Sequence, residues 1–342
     1  MKVQAICTTL LLGVVLAAAT GCSDGPGAGA GGLRVLEGND ARAVAGTEIP
    51  VLVPNGSFVF TVSEPGGELP EGEPADSAGD AGSATSYVGI SWRSDTNPPE
   101  FGPVLHGTQP LPAPVRVVQG DDEAEVTELG PSGPTATDFN SSGVAWVALV
   151  EDGPGLTLEV EYDGLVQTFD LTTGEREAGP ADGFYEDTGT GRTACLAGEP
   201  ADARWRADVD CKVTEVAAVP YVAEHGWAEE GRTWLVFGIF LTPGDDFTLT
   251  EKGTEATYRV ARQQGTVRSG EDEAVVLSQD GDALGGSWSA SLAVQVDADA
   301  PATLEVSRDY DVMLDTASGP ADVPPTATVT YTATVDLPPA AA

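Results

Sequence analysis

An all-β chain of two β-sandwich modules is the fold class predicted here, on three observations. Apolar residues recur at every second position in many short runs, the period of a strand with one buried face. No segment longer than about ten residues shows a convincing helical period of 3.6. Turn formers, 42 Gly and 25 Pro, punctuate the runs. Many short strands separated by Gly/Pro turns point to stacked sheets.

The chain opens with Met1-Lys2, an apolar run from Val3 to Ala19, and Ala19-Thr20-Gly21 before Cys22. This resembles the lipobox of a bacterial lipoprotein. The resemblance implies a signal peptide over 1–21, a lipidated Cys22, and a body held by its acyl chains on the extracytoplasmic face of a membrane in the cell envelope. The alternatives are an ordinary secretory signal or an uncleaved anchor. A spanning helix needs about 20 largely apolar residues, and Gln4, Thr8, Thr9 and Thr20 interrupt this one. Residues 22–33, nearly all Gly, Ala, Ser, Pro and Asp, read as a flexible tether. Its reach is roughly 17 to 20 Å for about 11 flexible residues.

The 342 residues leave room for two domains. Lys plus Arg total 16 against 54 Asp plus Glu, a net charge of −38, and loss of Lys2 with the leader deepens it by one. Such a surface excludes nucleic acid as a natural partner, because binding it requires basic groups that neutralise phosphates. It also repels anionic lipid within a screening length of about 8 Å, so attachment to a membrane falls to the lipid anchor. Most acids alternate with apolar residues and read as solvated outer faces. Of four cysteines, Cys7 leaves with the leader and Cys22 takes lipid. Cys195 and Cys211 remain, in a compartment that permits disulfides, and a structural disulfide is predicted over a metal or redox pair.

The first module is placed at 34–178. Strands are predicted at Phe58–Val62, Tyr87–Trp92 and Val144–Val150, with 64–85 as a disordered acidic surface loop. The clearest local feature is a hairpin. Leu156 to Tyr162 alternates without a break, Asp163-Gly164 follows, and Leu165–Leu171 continues as a second run. An Asp-Gly pair supplies the positive φ angles of a type I′ turn. The module boundary is placed in the Gly/Pro-containing stretch Glu175–Gly183.

The second module is placed at 184–342. Trp205, Ala207, Val209, Cys211 and Val213 share one face of a strand, which turns Cys211 toward the core. Further strands are predicted at Thr233–Leu241, Ser287–Val296 and Thr326–Val335, the last setting Ala327, Val329, Tyr331, Ala333 and Val335 against five threonines. An internal echo relates the modules. Trp146–Val150 matches Trp234–Gly238, Thr157-Leu158 matches Thr248-Leu249, Gly164 matches Gly253, and Thr168-Phe169 matches Thr257-Tyr258.

Within the second module, Val213–Val216, a loop through Tyr221 and Gly226-Trp227, Gly231–Val236, Phe247-Thr248-Leu249, Gly253 and Tyr258 follow in order. This pattern, over about 50 residues, resembles the immunoglobulin-like domains of secreted actinobacterial antigens and lipoproteins. It implies two immunoglobulin-like sandwiches and carries no catalytic set. Tyr221 and Trp227 lie in the longest loop of the module and are the candidate ligand contacts, or else caps of a sheet end.

The residues give chemistry little footing. Asp187-Thr188-Gly189-Thr190 matches the aspartic-protease signature, and Asp315-Thr316-Ala317-Ser318 approaches it with Ala317 in place of glycine. Two such carboxylates could share a proton, but Tyr185-Glu186 stand where the signature wants apolar residues, and both aspartates fall in one module. Only His106 and His225 exist, and neither accompanies a nucleophile elbow. Asp280, Asp282, Asp297 and Asp299 are weak calcium candidates in predicted turns. No motif calls for a cofactor. The leading expectation is a non-catalytic protein that binds a protein or envelope ligand or organises the envelope; the alternatives are an extracytoplasmic hydrolase and a calcium-stabilised adhesion module.

Overall fold

A computed structural model describes residues 32–38, 44–67, 69, 86–94, 111–130, 142–149, 155–186, 191–195, 198–280, 287–319 and 322–337. Cys22, the leader, the tether up to residue 31, most of the 64–85 loop, His106, Asp187 and Asp282 lie outside them. The protein is all-β with several sheets, all of whose pairs are antiparallel. One short 3-10 helix, Gly179–Phe184, is the only helix among the described residues.

Ten strands form the N-terminal half: β1 (Arg34–Glu37), β2 (Thr47–Val53), β3 (Gly56–Val62), β4 (Ser86–Ser94), β5 (Ala113–Gln119), β6 (Asp122–Leu129), β7 (Ser142–Leu149), β8 (Leu156–Tyr162), β9 (Leu165–Asp170) and β10 (Arg176–Glu177). They make two five-stranded sheets, ordered β1-β7-β4-β3-β2 and β10-β9-β8-β5-β6. Alternation sorts their side chains. In β8, Leu156, Leu158, Val160 and Tyr162 are buried while the residues between them are half-exposed. They meet Val51, Phe58, Phe60, Val88, Ile90 and Val147 of the other sheet in one core. Leu33, the last residue of the expected tether, is buried in this core.

The hairpin forms as expected. Asp163 and Gly164 take φ angles of 46° and 76°, and Leu158 pairs with Phe169 across it. The predicted boundary stretch holds β10, which pairs with β9, and then the 3-10 turn.

The C-terminal half contains β11 (Gly191–Ala194), β12 (Glu199–Pro200), β13 (Trp205–Val219), β14 (Tyr221–Val222), β15 (Gly226–Trp227), β16 (Arg232–Glu251), β17 (Thr254–Ser269), β18 (Asp272–Glu273), β19 (Val275–Asp280), β20 (Trp288–Asp297), β21 (Ala302–Ser318) and β22 (Thr326–Leu337). A single sheet follows the path β11-β13-β16-β17-β21-β22-β12, with β20 joining β16, β19 joining β20 and β18 joining β17. β14 and β15 form a separate hairpin.

Long strands let this sheet wrap its own core, because each can change the face it buries. In β13 the buried positions pass from Cys211 and Val213 to Val216 and Ala218, across a bulge where Glu215 adopts φ 55°. An extra residue at a bulge bends a strand and increases its twist. A second shift in β17, between Val260 and Arg262, moves burial from Tyr258 to Gln263 and Val267. β11 and β12 occupy opposite ends of the strand path yet are joined by one short connection, and β12 lies against β13 while β11 lies against β22. The two ends are thereby brought together. Closure of this kind protects edges from pairing with another chain.

The internal echo has a structural counterpart. Lys252 and Gly253 take φ 47° and 81°, the same turn as Asp163-Gly164. Phe247 pairs with Tyr258 as Leu158 pairs with Phe169, so Leu158 corresponds to Phe247, two residues before the Leu249 expected from sequence. Trp146 and Trp234 both point away from their main cores, while Val147, Leu149, Leu235 and Phe237 point into them. The flanks differ. β7 is bordered by two strands that precede it, β1 and β4, whereas the same stretch of β16 lies between β13, which precedes it, and β20, which follows.

Candidate binding site

The loop bearing Tyr221 and Trp227 is the β14-β15 hairpin, and it docks on the N-terminal half. Tyr221 is 3% exposed and is a member of the first core. Its ring meets Tyr162 edge-on at 5.5 Å, and its hydroxyl donates to Asp163 Oδ2 at 2.9 Å. Trp227 packs edge-on against Tyr162, Phe184 and Tyr221, and its Nε1–H donates to the Tyr162 carbonyl at 3.0 Å. The other face of the hairpin covers Trp234, whose Nε1–H donates to the Gly226 carbonyl at 3.1 Å. Val219, Val222, Ala228, Val236 and Ala293 complete this third cluster. The two aromatics therefore sit in a joint between the halves, and the ring of Tyr221 is covered rather than offered to a ligand.

A second set of bonds seats the connection between the halves. Tyr185, just past the 3-10 turn, accepts the Leu52 N–H on its hydroxyl oxygen at 2.9 Å and donates to Gln167 Oε1 at 2.9 Å. Gln167 Nε2 donates to the Leu52 carbonyl at 2.8 Å. Leu52 belongs to β2, an edge strand, so this ring of bonds satisfies backbone groups that a sheet edge leaves open. Arg176 stacks over the Tyr185 ring at 3.6 Å. Burial pushes the Tyr162 and Tyr185 phenols up to about 12, and Tyr221 is raised by burial and by its bond to Asp163.

Away from the joint, the first sandwich opens at one end into a cleft of about 590 Å³. Strand ends from both sheets surround it: Thr47 begins β2, Val62 ends β3, Ser86 begins β4, Leu149 ends β7, Leu156 begins β8, and Leu171 and Thr172 follow β9. Ser63–Gly67 form a further wall, held to β4 because Ser63 N–H and Gly66 N–H donate to the carbonyls of Gly89 and Tyr87 at 2.9 Å each. Ser63 Oγ accepts the Gly89 N–H at 2.8 Å and donates to the Glu64 carbonyl. Ser86 differs. It is 3% exposed, and its hydroxyl has no hydrogen-bond partner. Glu64 is the one charged side chain among the described lining residues.

Cys195 and Cys211 form the disulfide, with Cα atoms 5.5 Å apart. The bridge ties the β11–β12 connection to β13, where the ends of the strand path meet. Tyr331 of β22 supports the same place, with its hydroxyl 3.1 Å from the donating Gly198 N–H and its ring against Gly198.

The remaining candidates lie apart. Asp315 is exposed on β21 and pairs with Arg259 at 3.2 Å. His225 lies tilted beside Trp234, with ring centroids 5.9 Å apart. Asp297 and Asp299 are exposed at the turn after β20, and no group of three or more His, Cys, Asp or Glu residues among the described residues could hold a metal. Asp280 lies at the end of β19; its side chain and all of Asp282 are outside the described residues.

Sequence reasoning missed Ser86 and the Gln167–Tyr185 pair. Gln167 carried a signal, since it occupies an inward position in β9 where alternation calls for an apolar residue, and a polar group there needs a buried partner. Ser86 carried none, being one more small residue at a strand start. No family model, curated protein or solved structure matches the chain.

Proposed function

We propose that the chain is a lipid-anchored extracytoplasmic protein that acts by binding or envelope organisation rather than catalysis, with two immunoglobulin-like sandwich modules fixed to one another by the Tyr221–Trp227 joint. The observation that supports this reading most is the joint itself. A tyrosine carried by the C-terminal half is buried in the core of the N-terminal half, next to a hydrogen-bonded tryptophan. Two bodies locked this way present their loops at a fixed spacing, as a scaffold on a tether requires. Cys22 would supply the anchor, and the acidic surface would hold the body off an anionic leaflet.

Fractionation of cells producing the parent and Cys22→Ala tests the anchor. The parent is expected in the membrane fraction with a mass increased by lipid, and the variant is expected in the medium or as an unprocessed precursor. Equal retention and equal processing of both would refute it. Affinity capture with the parent and with Trp227→Ala tests the scaffold role: an envelope partner retained equally by both would show that the fixed spacing is irrelevant.

A further inference from the structure

We propose that the first sandwich meets the membrane end-on, with the end at which residue 32 enters the fold facing the lipid and the C-terminal half outermost, and that the acidic turns of the facing end hold it off an anionic leaflet. The proposal rests on the lipid anchor proposed above and gives the anchored body a direction.

Strand register defines the two ends. Arg34 begins β1 opposite Ala148, near the close of β7, and Ser86 begins β4 opposite Leu149. Gln119 closes β5 opposite both Leu156 and Asp122. The entry of the chain, the mouth of the cleft and the β5–β6 turn therefore share one end. A β-carbon built on Gly32 would lie 3.2 Å from Asp122 Oδ1, which sets the entry directly beside that turn. The joint occupies the other end. Tyr162 pairs with Leu165 across the Asp163-Gly164 turn, and this turn receives Tyr221 and Trp227. Tyr185 bonds to Leu52, next to the turn at which Val53 pairs with Gly56. β8 crosses from one end to the other in 7 residues, a height of about 20 Å at the rise of a strand. Beyond the joint, β16 leads away over 20 residues.

The covalent reach of the anchor fixes which end is near the lipid. About ten residues separate Cys22 from Gly32, at most about 36 Å fully extended. To set the far end of the C-terminal half on the membrane, that connection would have to run the height of the sandwich and then along a half whose β13 alone has 15 residues. An inverted body is out of reach.

Charge then sets the gap. The β5–β6 turn exposes Asp121, Asp122 and Glu123; Asp170 and Glu175 flank the turn after β9, and Glu64 stands at the cleft. Arg176, the nearest basic group on β10, is paired with Asp182 at 3.1 Å, which leaves Arg34. The two connections that leave and return at this end, 63–85 and 150–155, contain Asp and Glu but no Lys or Arg. Repulsion between this end and anionic headgroups acts over about 8 Å at physiological salt and about 3 Å at 1 M. The end therefore stands clear of an anionic leaflet in dilute salt and settles toward it as salt rises. A zwitterionic leaflet has no net charge to repel it.

The test uses the full chain, purified with its lipid and added to preformed vesicles of phosphatidylcholine, with or without phosphatidylglycerol. Thr172→Cys labels the facing end, and Glu255→Cys, opposite Thr250 near the close of β16, labels the far end; both positions are exposed. Each variant offers one free thiol, since Cys195 and Cys211 are bridged and Cys22 would be acylated. A maleimide fluorophore on that thiol reports its distance from a headgroup-labelled acceptor lipid by energy transfer. Transfer is expected to be severalfold stronger from position 172 than from position 255. On phosphatidylglycerol vesicles the signal from 172 should rise as the screening length falls from about 30 Å at about 0.01 M salt to about 3 Å at about 1 M, and on phosphatidylcholine it should stay constant. Asp121→Asn combined with Asp122→Asn and Glu123→Gln should raise the low-salt signal toward its high-salt value. Equal transfer from both positions, stronger transfer from 255, or no response to salt on anionic vesicles would each overturn the proposal. Failure of the protein to float with the vesicles would overturn the anchor, and this orientation with it; flotation reports that outcome separately from energy transfer.

Discussion

The two halves of the molecule use one local device in two assemblies. Each has a strand carrying an outward tryptophan, Trp146 or Trp234, followed by a hairpin turning on a residue pair with positive φ. In the N-terminal half the chain breaks after β7 and re-enters in the opposite sheet as β8. In the C-terminal half the 20-residue β16 runs through without interruption. The broken version yields two separate sheets, with the cleft at one end among the described residues. The continuous version yields a single wrapped sheet whose ends must be gathered, and there the disulfide and Tyr331 are found. Strand continuity thus decides whether a half has space at its end or a seam at its side.

The comparison is broken most severely at the joint. Removing a large buried aromatic typically costs about 3 to 5 kcal/mol, so Tyr221→Ala, and to a smaller extent Trp227→Ala at a half-buried position, should act on both halves at once. Calorimetry of the parent is expected to give one transition, and either variant two, with the halves melting independently. A single shifted transition would mean that cooperativity does not pass through these rings. The same phenols give the joint a pH limit. Tyr162 and Tyr185, and in the other half Tyr310, have folded values raised to about 12 from an ordinary value of 10, chiefly by burial. A raised value favours the neutral folded form, so this stability is complete below pH 10 and lost as pH climbs through 12. Phenolate absorbance should therefore appear together with loss of structure above pH 10; ionisation of all seven tyrosines near pH 10 with structure intact would contradict it.

The seam comes next. A disulfide closing a loop of this size is worth about 3 kcal/mol in the chain-entropy account. Cys195→Ser with Cys211→Ser should lower the melting temperature of the C-terminal half alone, best seen in the Trp227→Ala background where the halves separate. Because β11 and β12 would be freed as edges, the reduced protein should also aggregate faster on warming than the oxidised one, by light scattering. Equal loss from both halves would show that the bridge does not act locally.

Much of this contrast could be read from residues in advance, and what could not has a physical reason. The hairpin at Asp163-Gly164 and the inward face of β22 follow from period-two alternation and turn chemistry, which are local, and the pairing of Cys195 with Cys211 follows from their being the two cysteines left once Cys7 and Cys22 are assigned. β5, β6 and β21 were not anticipated, although β21 alternates from Ala302 to Val312; Arg308 at an inward position disguises the pattern. Within the echo the Gly164–Gly253 and Thr168-Phe169–Thr257-Tyr258 matches hold, while Thr157-Leu158 aligns with Asp246-Phe247 rather than with Thr248-Leu249, two residues away, because a Thr-Leu pair matches better in letters and the turn fixes the true alignment. The docking of Tyr221 depends on a surface that exists only once the first core has formed, and no window around residue 221 encodes it. The cleft is likewise a product of six strand ends that are distant in sequence.

The finest test of the comparison sets one buried polar side chain from each half against the other. Gln167 bonds fully, to Leu52 O and to the Tyr185 hydroxyl. Arg308, 4% exposed, is satisfied only in part: one nitrogen donates to Gln263 Oε1 at 3.2 Å, the guanidinium lies over Trp288 at 4.1 Å, and Nε has no hydrogen-bond partner. Burial depresses its affinity for the proton. A buried charge of this kind costs desolvation that an apolar replacement avoids, so Arg308→Met should leave stability within about 1 kcal/mol of the parent, the lost contacts being offset. Gln167→Met strands the Leu52 carbonyl and deprives Tyr185 of its acceptor, which should cost about 1 to 3 kcal/mol. Urea unfolding of the two variants gives the ranking. If Arg308→Met proved the costlier, the wrapped sheet would depend on its buried guanidinium, and the balance of polar contacts assigned to the two halves would have to be reversed.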